Sequence, residues 1–335
     1  MEHQASPDLI FDTLTAYQKS AALKAAIDLD LFTALNDGPL RAEALAEKCN
    51  ADPRGVRILS DYLVVHGLLL KQNGEYELTP DAKVFLSRKS PAYAGGAAEF
   101  LLSDELMGSF KKLSESARKG GTAVSDEGTI APEHPVWCSF ARAMGGLMFG
   151  PAQALGEMLN LDASKPLKIL DVAAGHGTWG ICMAKRYAQA RVVALDWNPV
   201  LEIARENATR AGVADRFSTI AGSAFEVDLG SEYDVVLVPN FLHHFSQGEC
   251  VGFLRKVHQA LRPGGRVAIV EFVPNEDRVT PPPAAAFSLV MLATTPRGDA
   301  YTFAEFRSML KEAGFKEPEF QPLPASVNQV VTATK

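Results

Sequence analysis

The chain has 335 residues, which at roughly 150 residues per domain predicts about two domains and ample material for a core. Hydrophobic residues make up 47% and charged residues 22%, with 26 Gly and 20 Pro, ordinary globular usage that excludes collagen-like, disordered and repeat-tract chains. Lys plus Arg total 33 against 40 Asp plus Glu, a net charge of −7, the wrong sign for a surface that clamps phosphate backbones, so no nucleic-acid partner is expected.

From Pro7 to about Leu35 apolar residues recur at helical spacing and stop at Asp37-Gly38-Pro39, which predicts one or two helices. A helix over Arg41 to Cys49, another opening at Asp52-Pro53, and a hairpin of Leu68–Leu70 and Tyr76–Leu78 around Asn73-Gly74 follow. Helix, helix, hairpin is a winged-helix plan. Its second helix carries only Arg54 and Arg57 as cations, beside Asp52 and Asp61, a pattern for packing or dimerisation rather than for reading DNA. The apolar first helix, with Leu9, Ile10, Leu14 and Tyr17, has more surface than a small domain buries on itself, so a homodimer is expected.

Residues from about Pro91 to Leu161 read as helical, broken by a looser stretch from Lys119 to Pro135 with Gly120-Gly121, Gly128 and Pro132. From Leu167 short β-branched runs alternate with helices. Leu167–Asp171, Arg191–Asp196, Phe217–Ala221, Tyr233–Pro239 and Arg266–Val273 read as strands of a parallel sheet covered on both faces, and Glu317–Leu323 and Asn328–Thr334 as an antiparallel pair that makes seven. The predicted organisation is a dimerisation domain over 1–95, a helical bridge over 96–160 that contributes to an acceptor pocket, and an α/β catalytic domain over 161–335.

The first strand of that sheet runs into Val172-Ala173-Ala174-Gly175-His176-Gly177 and then a helix. A glycine-rich first turn lets a ligand approach backbone at a helix N-terminus. Asp171 at the strand end would repel a pyrophosphate but suits a ligand whose near end is an ammonium. Asp196 closes the second strand 25 residues later, where a carboxylate accepts ribose hydroxyls. Capping of the helix at Asn198-Pro199 is its other use, and the company of Asp171 and the glycine turn favours the ligand. After the third strand, Gly222-Ser223-Ala224-Phe225 offers an aromatic face and backbone groups to a nucleobase; a plain core aromatic is the alternative for Phe225.

DVAAGHG, ALDW, AGSAF, NFLHHF and LRPGGR, in this order, resemble class I S-adenosylmethionine-dependent methyltransferases. With the winged helix ahead of them, the whole chain is similar to the small-molecule O-methyltransferases of plant phenolic and bacterial natural-product pathways. The resemblance implies a Rossmann-like seven-stranded sheet behind a mostly α winged-helix dimerisation domain. It also implies S-adenosyl-L-methionine as cofactor, S-adenosyl-L-homocysteine as product, and a homodimer through the N-terminal domain. By position the cofactor's methionine part lies near Asp171, Ala173, Gly175 and Gly177, its ribose at Asp196, and its adenine between Trp197 and the Ser223-Ala224-Phe225 turn, with Asn240 also at the cofactor. Ser223 stands where many members have an acid, and Ala173 where a glycine is usual; Ala173 is tolerated there if its φ stays below zero.

Transfer of a methyl to a hydroxyl needs alignment and removal of a proton. The resemblance puts the general base at His243, with Glu271 orienting it as the second member of a triad does. A histidine that only braces the loop is the alternative, and His244 leaves open which of the two faces the acceptor. Strict register puts Ala300 at the family's second acid, with the candidate Asp299 one residue away. Trp137, Phe140, Met144, Met148, Phe287 and Met291 are candidate walls for a flat apolar acceptor, together with His244. The function expected is O-methylation of a small aromatic or polyketide-like metabolite. Methylation of carbon or nitrogen, or a non-methylating reaction on the same fold, is the alternative, with a winged-helix transcription regulator behind it.

The four cysteines, Cys49, Cys138, Cys182 and Cys250, form no CxxC pair, and no histidine stands at zinc-ligand spacing, so neither a disulfide framework nor a metal site is expected. No basic region followed by an apolar run opens the chain, and no stretch reaches the roughly eighteen apolar residues that cross a bilayer. A cytoplasmic protein without a membrane partner is expected.

Overall fold

The computed structural model describes residues 5–324 and 326–335. The chain divides into two compact units, the first ending at Ser103 and the second spanning Asp104–Lys335.

In the first unit the helices Asp8–Asp28, Leu31–Ala34, Ala42–Lys48 and Pro53–Val65 lead into a hairpin of β1 (Leu69–Gln72) and β2 (Glu75–Leu78). Asp52 caps the fourth helix, its carboxylate accepting from the N–H groups of Arg54 and Gly55, with Pro53 at the first helical position. Leu31, Phe32, Leu45, Leu63, Leu69 and Tyr76 form a closed core. The Tyr76 hydroxyl donates to Asp61 (2.7 Å), which also takes Arg57 (3.0 Å) and Lys71 (2.5 Å). Arg57 is thereby engaged on its own helix. The first helix buries only Ala26 and Ile27, while Leu9, Ile10, Phe11, Leu14 and Tyr17 are each more than 60% exposed. A contiguous apolar face of that kind marks a partner surface.

The second unit opens with the helices Asp104–Lys111, Leu113–Lys119, Val136–Met144 and Phe149–Leu159. Then come β3 (Leu167–Val172), β4 (Ala190–Asp196), β5 (Phe217–Ala221), β6 (Tyr233–Pro239), β7 (Leu261–Glu271), β8 (Glu319–Pro322) and β9 (Gln329–Thr334). The sheet order is β5-β4-β3-β6-β7-β9-β8, parallel through β7 and antiparallel at β9 and β8. This is the seven-stranded arrangement expected from the sequence. Alternate residues serve opposite faces: Leu170, Val236, Val238 and Ile269 pack with Phe253 and Leu254 on one, Ile169, Val235, Leu237 and Ala268 with Leu155 and Met183 on the other. Two buried faces explain why these strands read as continuous apolar runs.

Two local expectations change. β7 starts at Leu261 rather than Arg266, because Leu261 pairs with Tyr233 before Pro263-Gly264-Gly265 bulges out and pairing resumes at Arg266 with Val235. The stretch from Lys119 to Pro135, read as loose, is pinned to residues 294–296. The Thr122 N–H donates to the Thr295 carbonyl (2.8 Å), and the Thr129 hydroxyl to that of Thr294 (3.2 Å). A Cβ at Gly121 would fall 2.1 Å from the Pro296 carbonyl oxygen, so this glycine serves close approach. Among the described residues no helix is long and apolar enough to cross a membrane.

Two alanine substitutions should move stability in opposite directions. Gly108 lies inside the helix Asp104–Lys111 with open space around it, so Gly108→Ala should raise unfolding free energy by about 0.5–1 kcal/mol. Gly121→Ala should lower it by about 1–3 kcal/mol through overpacking. Urea-unfolding midpoints of the two variants against the parent check both.

Candidate active site

β3 delivers Asp171 to the carboxyl end of the sheet, fully buried. Its Oδ2 accepts from the Gly180 N–H (2.8 Å), and its Oδ1 has no partner among the described residues. Burial pushes its pKa up to about 8, with the Gly180 N–H pulling the other way and the nearby Asp196 adding to the rise. An orphaned oxygen on a buried acid is a socket for a cation of ammonium size. The loop that follows is left-handed at three of five residues: Ala173 at φ 49°, Gly175 at 56° and Gly177 at 74°. The condition that Ala173 keep φ below zero is therefore not met. Its backbone has to turn as a glycine's would, so this alanine carries the cost of about 1–2 kcal/mol that a Cβ pays in that region.

Asp196, at the end of β4, is tied into the same loop. Its Oδ2 accepts from the Gly175 N–H (2.8 Å) and its Oδ1 from the Trp197 N–H (2.7 Å). Burial raises its pKa to about 6 against those two bonds. Trp197 itself is the N-cap of the helix Asn198–Arg210 and packs with Trp137, Ala141, Val200 and Ile203. Beyond β5 the Ser223 hydroxyl accepts from the Phe225 N–H (3.3 Å), and Ala224 is buried. Phe225 joins an aromatic nest with Phe241, Phe245 and Phe253 at centroid distances of 4.6–6.0 Å. Lys256, not anticipated from the sequence, donates to the carbonyls of Ala224 (3.1 Å), Phe225 (2.7 Å) and Val227 (3.0 Å) and so staples this turn to the next helix.

Between β6 and the helix Gln247–Ala260, the segment Asn240–Phe245 bends sharply. Asn240 sits at φ 51°, and its side-chain oxygen accepts from Asn328 (3.1 Å). Glu271, the last residue of β7 and almost fully buried, organises this bend. Its Oε1 accepts from the N–H groups of Phe241 (2.9 Å), Leu242 (2.9 Å) and His243 (3.4 Å), while its Oε2 meets His243 Nδ1 at 2.5 Å. His243 Nε2 faces His244 Nε2 at 3.1 Å. Burial, and then the positive charge His243 can carry, hold His244 well below the usual histidine range.

The candidate acceptor walls separate into two groups. Phe287 lies 4.8 Å from the His243 ring and stacks on Phe272 at 3.8 Å, and Trp137 stands edge-on to His244 at 5.1 Å. Phe140 stacks on His176 at 6.2 Å beside the glycine loop, the buried His176 ring having its pKa lowered to about 4 by burial. Met148 packs instead against the core under the helix Thr178–Arg186, Met291 is buried in its own helix, and Met144 is half-buried. Asp299 pairs with Arg278 (3.2 Å) and accepts from the Ala300 N–H; it makes no bond to His243 among the described residues. No group of three or more His, Cys, Asp or Glu among the described residues is arranged to hold a metal ion.

Glu271 serves four donors with two oxygens, so removing its charge without changing its shape leaves donors competing for one carbonyl. Glu271→Gln should lower stability by about 1–3 kcal/mol, read as a fall in the thermal unfolding midpoint. An unchanged midpoint would mean that the turn does not depend on the carboxylate.

Residues 155–316 match the family model of the O-methyltransferase domain, and residues 11–88 that of the O-methyltransferase dimerisation domain. The tetracenomycin polyketide synthesis 8-O-methyl transferase of Streptomyces glaucescens is 29% identical over 319 residues, covering 94% of this chain and 93% of that protein. A crystal structure from Nostoc punctiforme, assigned as an O-methyltransferase, is 52% identical with a TM-score of 0.96, covering 99% of this chain and 100% of that one. Human N-acetylserotonin methyltransferase in complex with SAM shares the fold, at 22% identity and a TM-score of 0.86 over 100% of this chain and 99% of that one. With the two models matched in order and a solved relative half identical along its whole length, this chain belongs to the O-methyltransferase family.

Proposed function

We propose that the protein is a homodimeric, S-adenosylmethionine-dependent O-methyltransferase that methylates a hydroxyl of a small aromatic or polyketide-like metabolite, with His243 as the general base. The observation that carries this reading is the His243–Glu271 pair, a buried imidazole oriented by a buried carboxylate within the stretch that matches the O-methyltransferase model. A carboxylate at Nδ1 fixes the tautomer that leaves Nε2 basic, as the second member of a triad does. The dimer rests on the exposed apolar face of the first helix and on the match to the dimerisation domain. The acceptor class rests on the aromatic rings beside His243 and on relatives that include a 3-hydroxy-5-methyl-1-naphthoate 3-O-methyltransferase of Streptomyces sahachiroi.

The residues present fit the cofactor. Asp171 would take its ammonium through the orphaned Oδ1, Asp196 its ribose hydroxyls, and Trp197 with Ala224 and Phe225 would border its adenine. When bound, S-adenosylmethionine supplies an electrophilic methyl on a cationic sulfur. The chain's own task is then to align the acceptor, exclude water and take the hydroxyl proton.

A mass-spectrometric screen of the protein with S-adenosylmethionine and a panel of phenols, amines and enolic ketones tests the reaction. We expect a phenol ether one methylene heavier than its parent, formed about 10²–10⁴-fold more slowly by His243→Ala. Product on carbon or nitrogen, or full activity in the variant, would overturn the reading. Cofactor binding has its own signature. In the free protein burial pushes the Asp171 carboxyl up to about 8, and a bound ammonium favours its ionised form. Below pH 8 binding therefore expels a proton, and affinity climbs with pH by up to about tenfold per unit. Calorimetry with S-adenosylhomocysteine should show affinity rising from pH 6 and levelling near pH 8, with Asp171→Asn weaker and flat.

A further inference from the structure

The two adjacent histidines do not play equivalent parts. His243 Nδ1 lies 2.5 Å from the Glu271 carboxylate, so Nδ1 carries a proton and Nε2 is the free lone pair of the neutral ring. That lone pair does not face open space; it faces His244 Nε2 at 3.1 Å. Two imidazole nitrogens at that distance need one hydrogen between them. With both rings neutral it sits on His244 Nε2, which leaves His244 Nδ1 unprotonated. This last nitrogen is buried and has no partner among the described residues. A buried polar atom without a partner costs about 1–3 kcal/mol and asks for a reason.

We propose that His244 is a catalytic residue, whose Nδ1 takes the acceptor's hydroxyl proton while its Nε2–H passes to His243 Nε2, a two-imidazole relay backed by Glu271. The inference rests on the O-methylation reading above and deepens it: His243 remains the base on which the charge ends, and His244 stands between it and the hydroxyl. The step balances: one O–H bond and one N–H bond break, two N–H bonds form, the acceptor becomes its oxyanion, and the positive charge ends on His243 beside the Glu271 carboxylate. Charge thus stops where an anion already waits, while His244, whose burial disfavours a cation, is neutral before and after. Trp137 stands edge-on to His244 at 5.1 Å and offers an aromatic ring beside the pair. A nitrogen shut away from bulk water meets a hydroxyl without first shedding a hydration shell. The rival arrangement has His244 swing aside so that His243 Nε2 meets the hydroxyl directly.

The ground state is tested without any acceptor. Long-range nitrogen–proton NMR of the histidines in the S-adenosylhomocysteine complex should show His244 protonated at Nε2 and bare at Nδ1, with His243 protonated at Nδ1. A proton on His244 Nδ1 would overturn the relay. Turnover is tested with phenols of graded acidity, from 2-naphthol to 4-nitrophenol, using His244→Ala and His244→Asn, whose amide keeps a donor toward His243 but has no basic nitrogen. We expect both variants to bind S-adenosylhomocysteine as the parent does and to lose about 10²-fold or more with the weakly acidic phenols. The loss should shrink with 4-nitrophenol, which is already ionised, and added imidazole should restore part of the His244→Ala rate. Activity within twofold of the parent, or faster turnover once His243 Nε2 is uncovered, would overturn the proposal. If the parent methylates none of the phenols, the O-methylation reading fails, and the NMR measurement still decides whether the pair is arranged as argued.

Discussion

The Glu271 carboxylate is the interaction on which the carboxyl end of the sheet depends. A buried anion without donors would give up its charge to a proton or unfold its surroundings. Here Oε1 gathers three consecutive backbone N–H groups and Oε2 holds the imidazole, so the same group that neutralises a sharp bend also aims the side chain the bend carries. The opposite side of the bend is closed by backbone: a Cβ at Gly298 would come within 2.2 Å of the His243 carbonyl oxygen. His243 is thus fixed from the sheet by charge and from the Thr295–Gly298 turn by contact. Its ring direction, its tautomer and the nitrogen it turns toward His244 all follow from where β7 ends.

The alternation of apolar strands with amphipathic helices was legible in the sequence because both periods are written in the side chains themselves. That Asp171 and Asp196 would stand at the carboxyl end of the sheet was legible because each closes an apolar run. What stayed hidden depends on backbone geometry or on distant partners. Ala173 reads as a residue of ordinary φ, yet the loop between Asp171 and Gly177 has to turn left-handed there whatever residue occupies it. Gly121 reads as a chain breaker, and its use lies in a carbonyl 175 residues further on. Lys256 carries no signal in the sequence; only folding brings three carbonyls of the Ala224–Val227 turn within reach. Strict register puts Ala300 at the second acid's place and the candidate Asp299 one residue away, and register carries no information about Arg278, which folds back from a separate loop to pair with Asp299.

The acids at the ends of β3 and β4 work on a different principle from Glu271. Asp171 and Asp196 have few donors and strong burial, and both are pushed toward their neutral forms. Glu271 is saturated with donors and braces structure; Asp171 is left one bond short. A saturated carboxylate has nothing to gain from a ligand, whereas one that is desolvated and under-bonded gains most from a cation. The count of donors at each acid therefore separates the saturated group from the under-bonded one, although all three are carboxylates at the ends of sheet strands.

The order of strands then fixes how these groups relate. Asp196, Asp171, the Asn240–His244 turn and Glu271 stand at the carboxyl ends of β4, β3, β6 and β7, which are consecutive neighbours in the sheet, so they form a row with steps of about 4.8 Å. Within that row the chain changes direction. From β3 it winds outward through β4 to β5 and returns to the other side of β3 as β6, so the loops after β3 and β6 leave the sheet on diverging paths. A crevice at such a switch point is where ligands bind in open α/β sheets. On one flank of it stands an acid with one oxygen unpartnered among the described residues, and on the other two imidazoles backed by an acid with both oxygens engaged. An under-bonded acid and a donor-saturated one are opposite environments, and the adjacency of β3, β6 and β7 sets them on neighbouring strands of one sheet.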